Sequence, residues 1–227
     1  HEANYAVGDL YLGLVKKVVP GLNAAFVDVG YEKDAFLHYL DLGPNIRSLV
    51  KYTKGVLTGK EFPPKFTNFE FEPEIDKLGK ISQVFTKNQK VIVQIAKEPI
   101  STKGPRLSCE ISLAGRYIVL VPFSNTVSVS RKINDAEERR RLKRLITSIK
   151  PDGFGVIIRT VAQNKDVAEL NKDLRALIAK WQLAQENLKT TEPKERILGE
   201  MNRVSAIVRD LLTESFDSII VDDELSY

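Results

Sequence analysis

The chain has 227 residues, 43% of them hydrophobic, with 34 Lys and Arg against 30 Asp and Glu (formal charge +4) and a single cysteine, Cys109. That is enough chain for one large domain or two small ones with a real core, and a lone cysteine excludes an internal disulfide and a cysteine-based metal cluster, as fits a reducing, cytoplasmic setting. No apolar run approaches the ~20 residues that span a bilayer, so no membrane partner is expected, and the mild basic excess permits nucleic-acid binding without demonstrating it.

The chain begins His1-Glu2-Ala3-Asn4, with no initiator Met and no apolar signal region, which reads as a fragment or a processed chain. The first ordered stretch runs from Gly8 to Leu40 and reads as three short strands: Leu10–Val19, Ala24–Val29 and Ala35–Tyr39. Pro20-Gly21 and Gly30 supply the turns between them. Alternation puts Ala25, Val27 and Val29 on one face of the second strand and Ala24, Phe26 and Asp28 on the other. The first face has the character of a barrel interior. Phe36, on the next strand, can lie near Phe26. By residue type a strand Phe is most often core. Two aromatics outside a small barrel, with Lys16, Lys17 and Lys33 nearby, would instead suit stacking of unpaired bases.

Residues 43–82 interrupt the strand pattern. Ile46–Tyr52 reads as one or two helical turns, and Lys60–Glu74 mixes prolines, charges and Phe62, Phe66, Phe69 and Phe71. The stretch is too long for an ordinary loop and reads as a lid with some phenylalanines packed back on the barrel. Val91–Ile95 is a strand, Lys103-Gly104-Pro105 an exposed loop, and Arg106–Leu113 the last strand of the barrel. Ile111–Pro122 then reads as one long extended segment, with Val127–Ser130 as its pairing partner. Ser130-Arg131-Lys132 is a basic turn, and Asp135-Ala136 opens a charged helix whose Arg139–Arg144 run reads as a solvated face. Phe154–Thr160 is an apolar strand that ends abruptly in Arg159-Thr160. Asp166–Leu188 has helical spacing, with Trp181 in the core. Arg196–Leu212 reads as a further helix and Ser218–Val221 as a closing strand.

Two runs carry a resemblance. Ala35-Phe36-Leu37-His38-Tyr39-Leu40-Asp41-Leu42 resembles the signature of the ribosomal S-one type OB-fold, and Gly21–Gly30 after Gly8–Gly13 is similar to the ribonuclease E/G family of bacterial endoribonucleases. The resemblance extends from about Tyr5 to Val221. It implies a β-rich α+β fold: an OB-fold RNA-binding domain over 5–110 with an insertion at about 43–82, a mixed α/β 5′-monophosphate sensor domain over 111–206, and a residual part of an RNase H-like subdomain over 207–227.

It further implies RNA contacts from Phe26, Phe36 and Lys103, and a 5′-phosphate site built from Arg159, Thr160, the Val119 backbone and Arg131. An Arg fork and a hydroxyl are suited to a terminal phosphate. Outside that context, Lys103 reads as a solvated charge and Arg159-Thr160 as a salt-bridging strand end. The implied partner is single-stranded RNA with a 5′-monophosphate, acted on in RNA processing and decay. The implied cofactors, Mg²⁺ and a structural Zn²⁺, belong to the full-length protein, a homo-oligomer, and none is expected in this chain, for which a monomer without catalytic residues is expected. The Asp217, Asp222, Asp223 and Glu224 cluster reads as a strand end and solvated tail, and the segment at 43–82 is longer than the family pattern leads one to expect. The alternative is a stand-alone OB-fold RNA-binding or ribosome-associated adaptor protein. A nucleotide-binding enzyme lacks its Gly-rich phosphate loop here.

Overall fold

A computed structural model describes residues 5–63 and 65–199. Five strands close a barrel: β1 (Leu10–Val19), β2 (Ala24–Asp28), β3 (Ala35–His38), β4 (Lys90–Lys97) and β5 (Arg106–Ser108). β1 pairs with β4 through residues 10–14 and with β2 through residues 14–19, so one curled strand serves both edges of the closure. β3 pairs in parallel with β5, and β5 returns antiparallel to β4. This is the OB-fold expected from the sequence. Ala25, Val27, Val29, Ala35 and Leu37 fill the interior, as their alternation predicts.

The insertion at 43–82 is less a lid than a joint. Its helix α1 (Ile46–Leu57) runs a turn and a half past the predicted Tyr52 and packs on β4. Tyr52, at its centre, is met by Phe62 (ring centroids 5.1 Å apart), Phe66 (5.8 Å), Phe69 (6.0 Å), Phe123 (5.3 Å) and Trp181 (5.7 Å). Phe66 and Phe69 are buried, whereas Phe71 remains exposed. Phe66 reaches this position with φ +54°, and Gly153 (φ +83°) makes room for it: a Cβ there would lie 2.8 Å from the rings of Phe66 and Phe71.

Beyond the barrel the predicted single strand over Arg106–Leu113 is two strands in two sheets. The chain leaves β5 at Ser108. Cys109 N–H donates to Asp41 O (2.9 Å), and the Gln94 amide pairs with Ser112 N (3.0 Å) and O (2.7 Å), which turns the chain off the barrel. The expected extended segment over Ile111–Pro122 is likewise a hairpin, β6 (Leu113–Ala114) and β7 (Ile118–Pro122), joined through Gly115–Tyr117. β8 (Val127–Val129) leads into α2 (Ala136–Ile149), which is capped by Asp135, and returns in β9 (Phe154–Ile158). β8 does not pair with β7 as predicted. A βαβ crossover must lay its strands parallel, and β8 joins β9, giving the order β6-β7-β9-β8.

Helix α3 (Val167–Leu188) follows, with a reciprocal cap between Asp166 and Glu169. Trp181 is buried. Among the described residues no helix is long and apolar enough to cross a membrane.

The predicted helix over Arg196–Leu212 is contradicted at its start. Arg196–Leu198 forms a strand, β10, antiparallel to β1. The β1 edge at residues 10–12 is not covered by β2, and its backbone groups need partners. Lys194 N–H donates to Leu12 O (2.7 Å) and Leu12 N–H to Glu195 O (3.0 Å), so the extended conformation wins over helical spacing. The remainder of that prediction, the Ser218–Val221 strand and the Asp217, Asp222, Asp223 and Glu224 cluster lie outside the described residues.

Candidate nucleic-acid interface and 5′-phosphate site

Register builds the first surface. Lys17 lies opposite Phe26, Phe26 opposite Phe36, and Phe36 opposite Arg106, so four side chains form one row across β1, β2, β3 and β5 on the outer face. The Phe26 and Phe36 rings are half-buried, 5.8 Å apart and inclined at 63°, with His38 6.3 Å beyond Phe36. Their partial exposure distinguishes them from Val27 and Leu37 beside them, which are fully buried.

Phe36 N–H donates to Pro105 O (2.9 Å), which docks the Lys103 loop at the start of β3. Lys103, Lys16, Lys17 and Lys33 are exposed. Arg106 is held by Asp41, whose Oδ2 accepts from Nε (3.0 Å) and Nη2 (2.8 Å). The sequence marks Arg106 only as a strand residue. Its place beside Phe36 depends on the parallel β3–β5 pairing, which joins residues 70 positions apart.

The second surface is the outer face of the β6–β9 sheet. In β9, Phe154, Val156 and Ile158 are buried and Ile157 is 43% exposed, so Arg159 continues on Ile157's side. Arg159 N–H donates to Tyr117 O (2.8 Å), and its Nη1 donates to Gly115 O (2.7 Å) and Arg116 O (3.2 Å). Thr160 Oγ1 lies 2.8 Å from Ser130 Oγ, while Ser130 N–H donates to Ile158 O (2.8 Å). The end of β8 thus meets the end of β9, and Arg131, the next residue, is exposed there. Thr160 and Ser130 are brought into contact, with Arg131 next to Ser130 in the chain, while the Arg159 guanidinium is held at the β6–β7 turn on the other flank of β9.

Val119 stands opposite Ile157 in register. The Arg159-to-Tyr117 and Phe123-to-Gly153 bonds (both 2.8 Å) set the alternation along β7, so Val119 turns its backbone groups toward β9. A backbone contact from Val119 to a ligand would therefore share a group that the ladder already uses.

Two positioning residues escaped the sequence reading. Asp173 on α3 accepts from the N–H groups of Arg116 (3.1 Å), Tyr117 (2.8 Å) and Ile118 (3.1 Å), which fixes the turn that carries Arg159's carbonyl partners. Gly115 makes this approach possible, since a Cβ would lie 2.6 Å from both Asp173 oxygens. Arg139 on α2 donates to Ser130 O (2.6 Å), Ile133 O (3.1 Å) and Val129 O (3.3 Å), clamping the turn that presents Arg131. Neither has a local signal, because each partner set belongs to another element.

No group of three His, Cys, Asp or Glu side chains suited to a metal ion occurs among the described residues. The described residues thus offer no cluster of three such ligands to Mg²⁺ or Zn²⁺.

The Ribonuclease E/G family matches residues 112–227. Ribonuclease E of Nostoc sp. is 34% identical over 220 residues, 96% of this chain and 28% of that protein. Ribonuclease G of Escherichia coli strain K12 is 33% identical over 221 residues, 97% of this chain and 41% of that protein. A ribonuclease E/G-like protein of Porphyra purpurea is 35% identical over 225 residues, 99% of this chain and 39% of that protein. The chain therefore spans well under half the length of these relatives. With the family matched over just over half of its residues, the chain belongs to the ribonuclease E/G family.

Proposed function

We propose that this chain is the RNA-capturing and 5′-end-sensing part of a single-strand-specific endoribonuclease acting in RNA processing and decay. Residues 5–110 form the RNA-binding OB domain with the 43–82 insertion, residues 111–206 the 5′-monophosphate sensor, and 207–227 part of an RNase H-like subdomain. Phe26 and Phe36 stack on unpaired bases, with Lys103 on the phosphate chain. Arg159, Thr160 and Arg131 bind the terminal phosphate, bordered by Val119. The full-length protein is a cytoplasmic homo-oligomer that uses Mg²⁺ and a structural Zn²⁺.

The observation that carries the reading is the meeting of the β8 and β9 ends, where Thr160 bonds Ser130 and Arg159 is braced on the 115–116 carbonyls. A braced guanidinium presents its fork in one orientation, and a terminal monophosphate offers the matching oxygens. A 5′-hydroxyl offers none. The test is titration of short single-stranded RNAs bearing 5′-phosphate or 5′-hydroxyl ends at fixed salt. Wild type should prefer the phosphate, and Arg159→Ala should lose about 1.5–3 kcal/mol of that preference. Arg159→Lys should also lose most of it, because a point charge cannot replace the fork. Equal binding of both ends by wild type would refute the sensor.

A further inference from the structure

Four cations of the basic run in the middle of α2 divide three ways in the fold. Arg141 pairs with Glu138 and donates to Lys165 O (2.9 Å). Arg139 clamps the 130–133 turn. Arg140 and Lys143 are exposed and line a groove of about 530 Å³ between α2 and β8, together with Arg131. No carboxylate lines this groove. Among the described residues, Arg131, Arg140 and Lys143 make no ion pair. β8 is also the edge strand of its sheet.

A second groove, of about 760 Å³, lies over Ile157 and the Val121–Thr126 segment, toward the end of the sheet opposite Arg159 and Thr160. It is rimmed by Glu72, Glu74 and Glu110 and has no cation in its lining. The two grooves share Ser128, but of the candidate 5′-end residues Arg131 lines the first and none lines the second. Each further nucleotide adds a negative charge. The acid-rimmed groove repels that charge, and the cationic groove, which reaches the 5′-end site through Arg131, attracts it.

We propose that RNA runs its ribose-phosphate chain from the 5′-end site along the groove between β8 and α2, with Arg140 and Lys143 contacting backbone phosphates. The direction of travel rests on the sensor reading above, while the groove's affinity for RNA is judged separately.

The experiment compares wild type with the double variant Arg140→Gln/Lys143→Gln, using a single-stranded oligoribonucleotide and a 5′-phosphorylated dinucleotide. Both substitutions are on an exposed helix face, and an unchanged urea midpoint checks the fold. Each phosphate contact to a single strand contributes about 0.7 to the slope of log affinity against log salt, so the variant's slope should be shallower by about 1.4. Oligomer affinity should fall several-fold, with the dinucleotide unaffected and the ratio of 5′-phosphate to 5′-hydroxyl binding preserved. Exchanging the two cations, Arg140→Lys/Lys143→Arg, should restore the slope. An unchanged slope and affinity in the double variant would overturn the groove assignment. So would polyglutamate binding that the double variant abolishes while RNA binding survives, which would assign the groove to an acidic protein segment. A wild type without 5′ preference would defeat the sensor reading alone, since the slope still judges the groove.

Discussion

Arg159 shows how one residue can be legible while its supports are not. The abrupt change from Val156-Ile157-Ile158 to Arg159-Thr160 is visible along the chain. Asp173, which fixes the turn behind it, acts on amides 55 to 57 positions away, beyond any local pattern. Phe26 and Phe36 were legible for a similar reason: alternation assigned them a face, and their cross-strand pairing follows from two adjacent hairpin strands. What alternation could not give was Arg106 beside them. Their half-exposed rings lead to a prediction at this scale. Phe26→Ala or Phe36→Ala should weaken single-stranded RNA binding by about 1–3 kcal/mol, with little dependence on base sequence, as fluorescence titration would show. Undiminished affinity in both variants would remove the stacking role.

Among elements, the insertion was the least legible. Its prolines and charges read as loop chemistry, and its phenylalanines gave no period. Their partners are Trp181 and Phe123, which lie in other elements, so the aromatic cluster exists only after folding. Arg196–Leu198 was misread for the converse reason. Helical spacing was present, but an uncovered strand edge at β1 decided the conformation.

The cluster contains two buried polar atoms, Tyr52 Oη and Trp181 Nε1, with no hydrogen-bond partner among the described residues. A desolvated hydroxyl without a partner costs about 1–3 kcal/mol. Tyr52→Phe should therefore be neutral to stabilising by about 1 kcal/mol, since it removes the hydroxyl and keeps the ring. Phe66→Ala should destabilise by about 3–5 kcal/mol, because it opens a cavity among Tyr52, Phe123, Phe154 and Trp181. Urea unfolding of the two variants measures both. A strongly destabilised Tyr52→Phe would show that the hydroxyl has a partner after all.

At the level of the whole molecule, the barrel, the insertion and the β6–β9 sheet share one continuous apolar core. Burial of several weak acids in that core fixes how stability responds to alkali. Desolvation pushes the Cys109 thiol well above its ordinary value of 9.0, pushes Tyr11 up to about 12, and raises Tyr52 above the ordinary phenol value of 10.0. In the unfolded chain these groups ionise at their ordinary values, while the folded chain holds their protons. The unfolded state therefore binds fewer protons as pH rises, and stability falls. The loss should begin near pH 9 and steepen through the phenol range, with no contribution from these groups below it. Urea midpoints measured across the alkaline range test this, and a midpoint that stays flat through them would contradict the burial.

Helix α3 carries a mechanical consequence of its own. It has 22 residues and is about 33 Å long. Near one end Asp173 grips the turn behind Arg159, and about 18 Å further on Gln185 Nε2 donates to Phe62 O (2.6 Å) in the insertion, beside Trp181 and Leu188 against the barrel. The two candidate surfaces are joined in sequence by the short bend at 109–112, but their spacing is gauged by this rod. It works as a surveyor's staff between two marks. A residue added to the rod between Asp173 and Gln185 would rotate one mark by about 100° relative to the other.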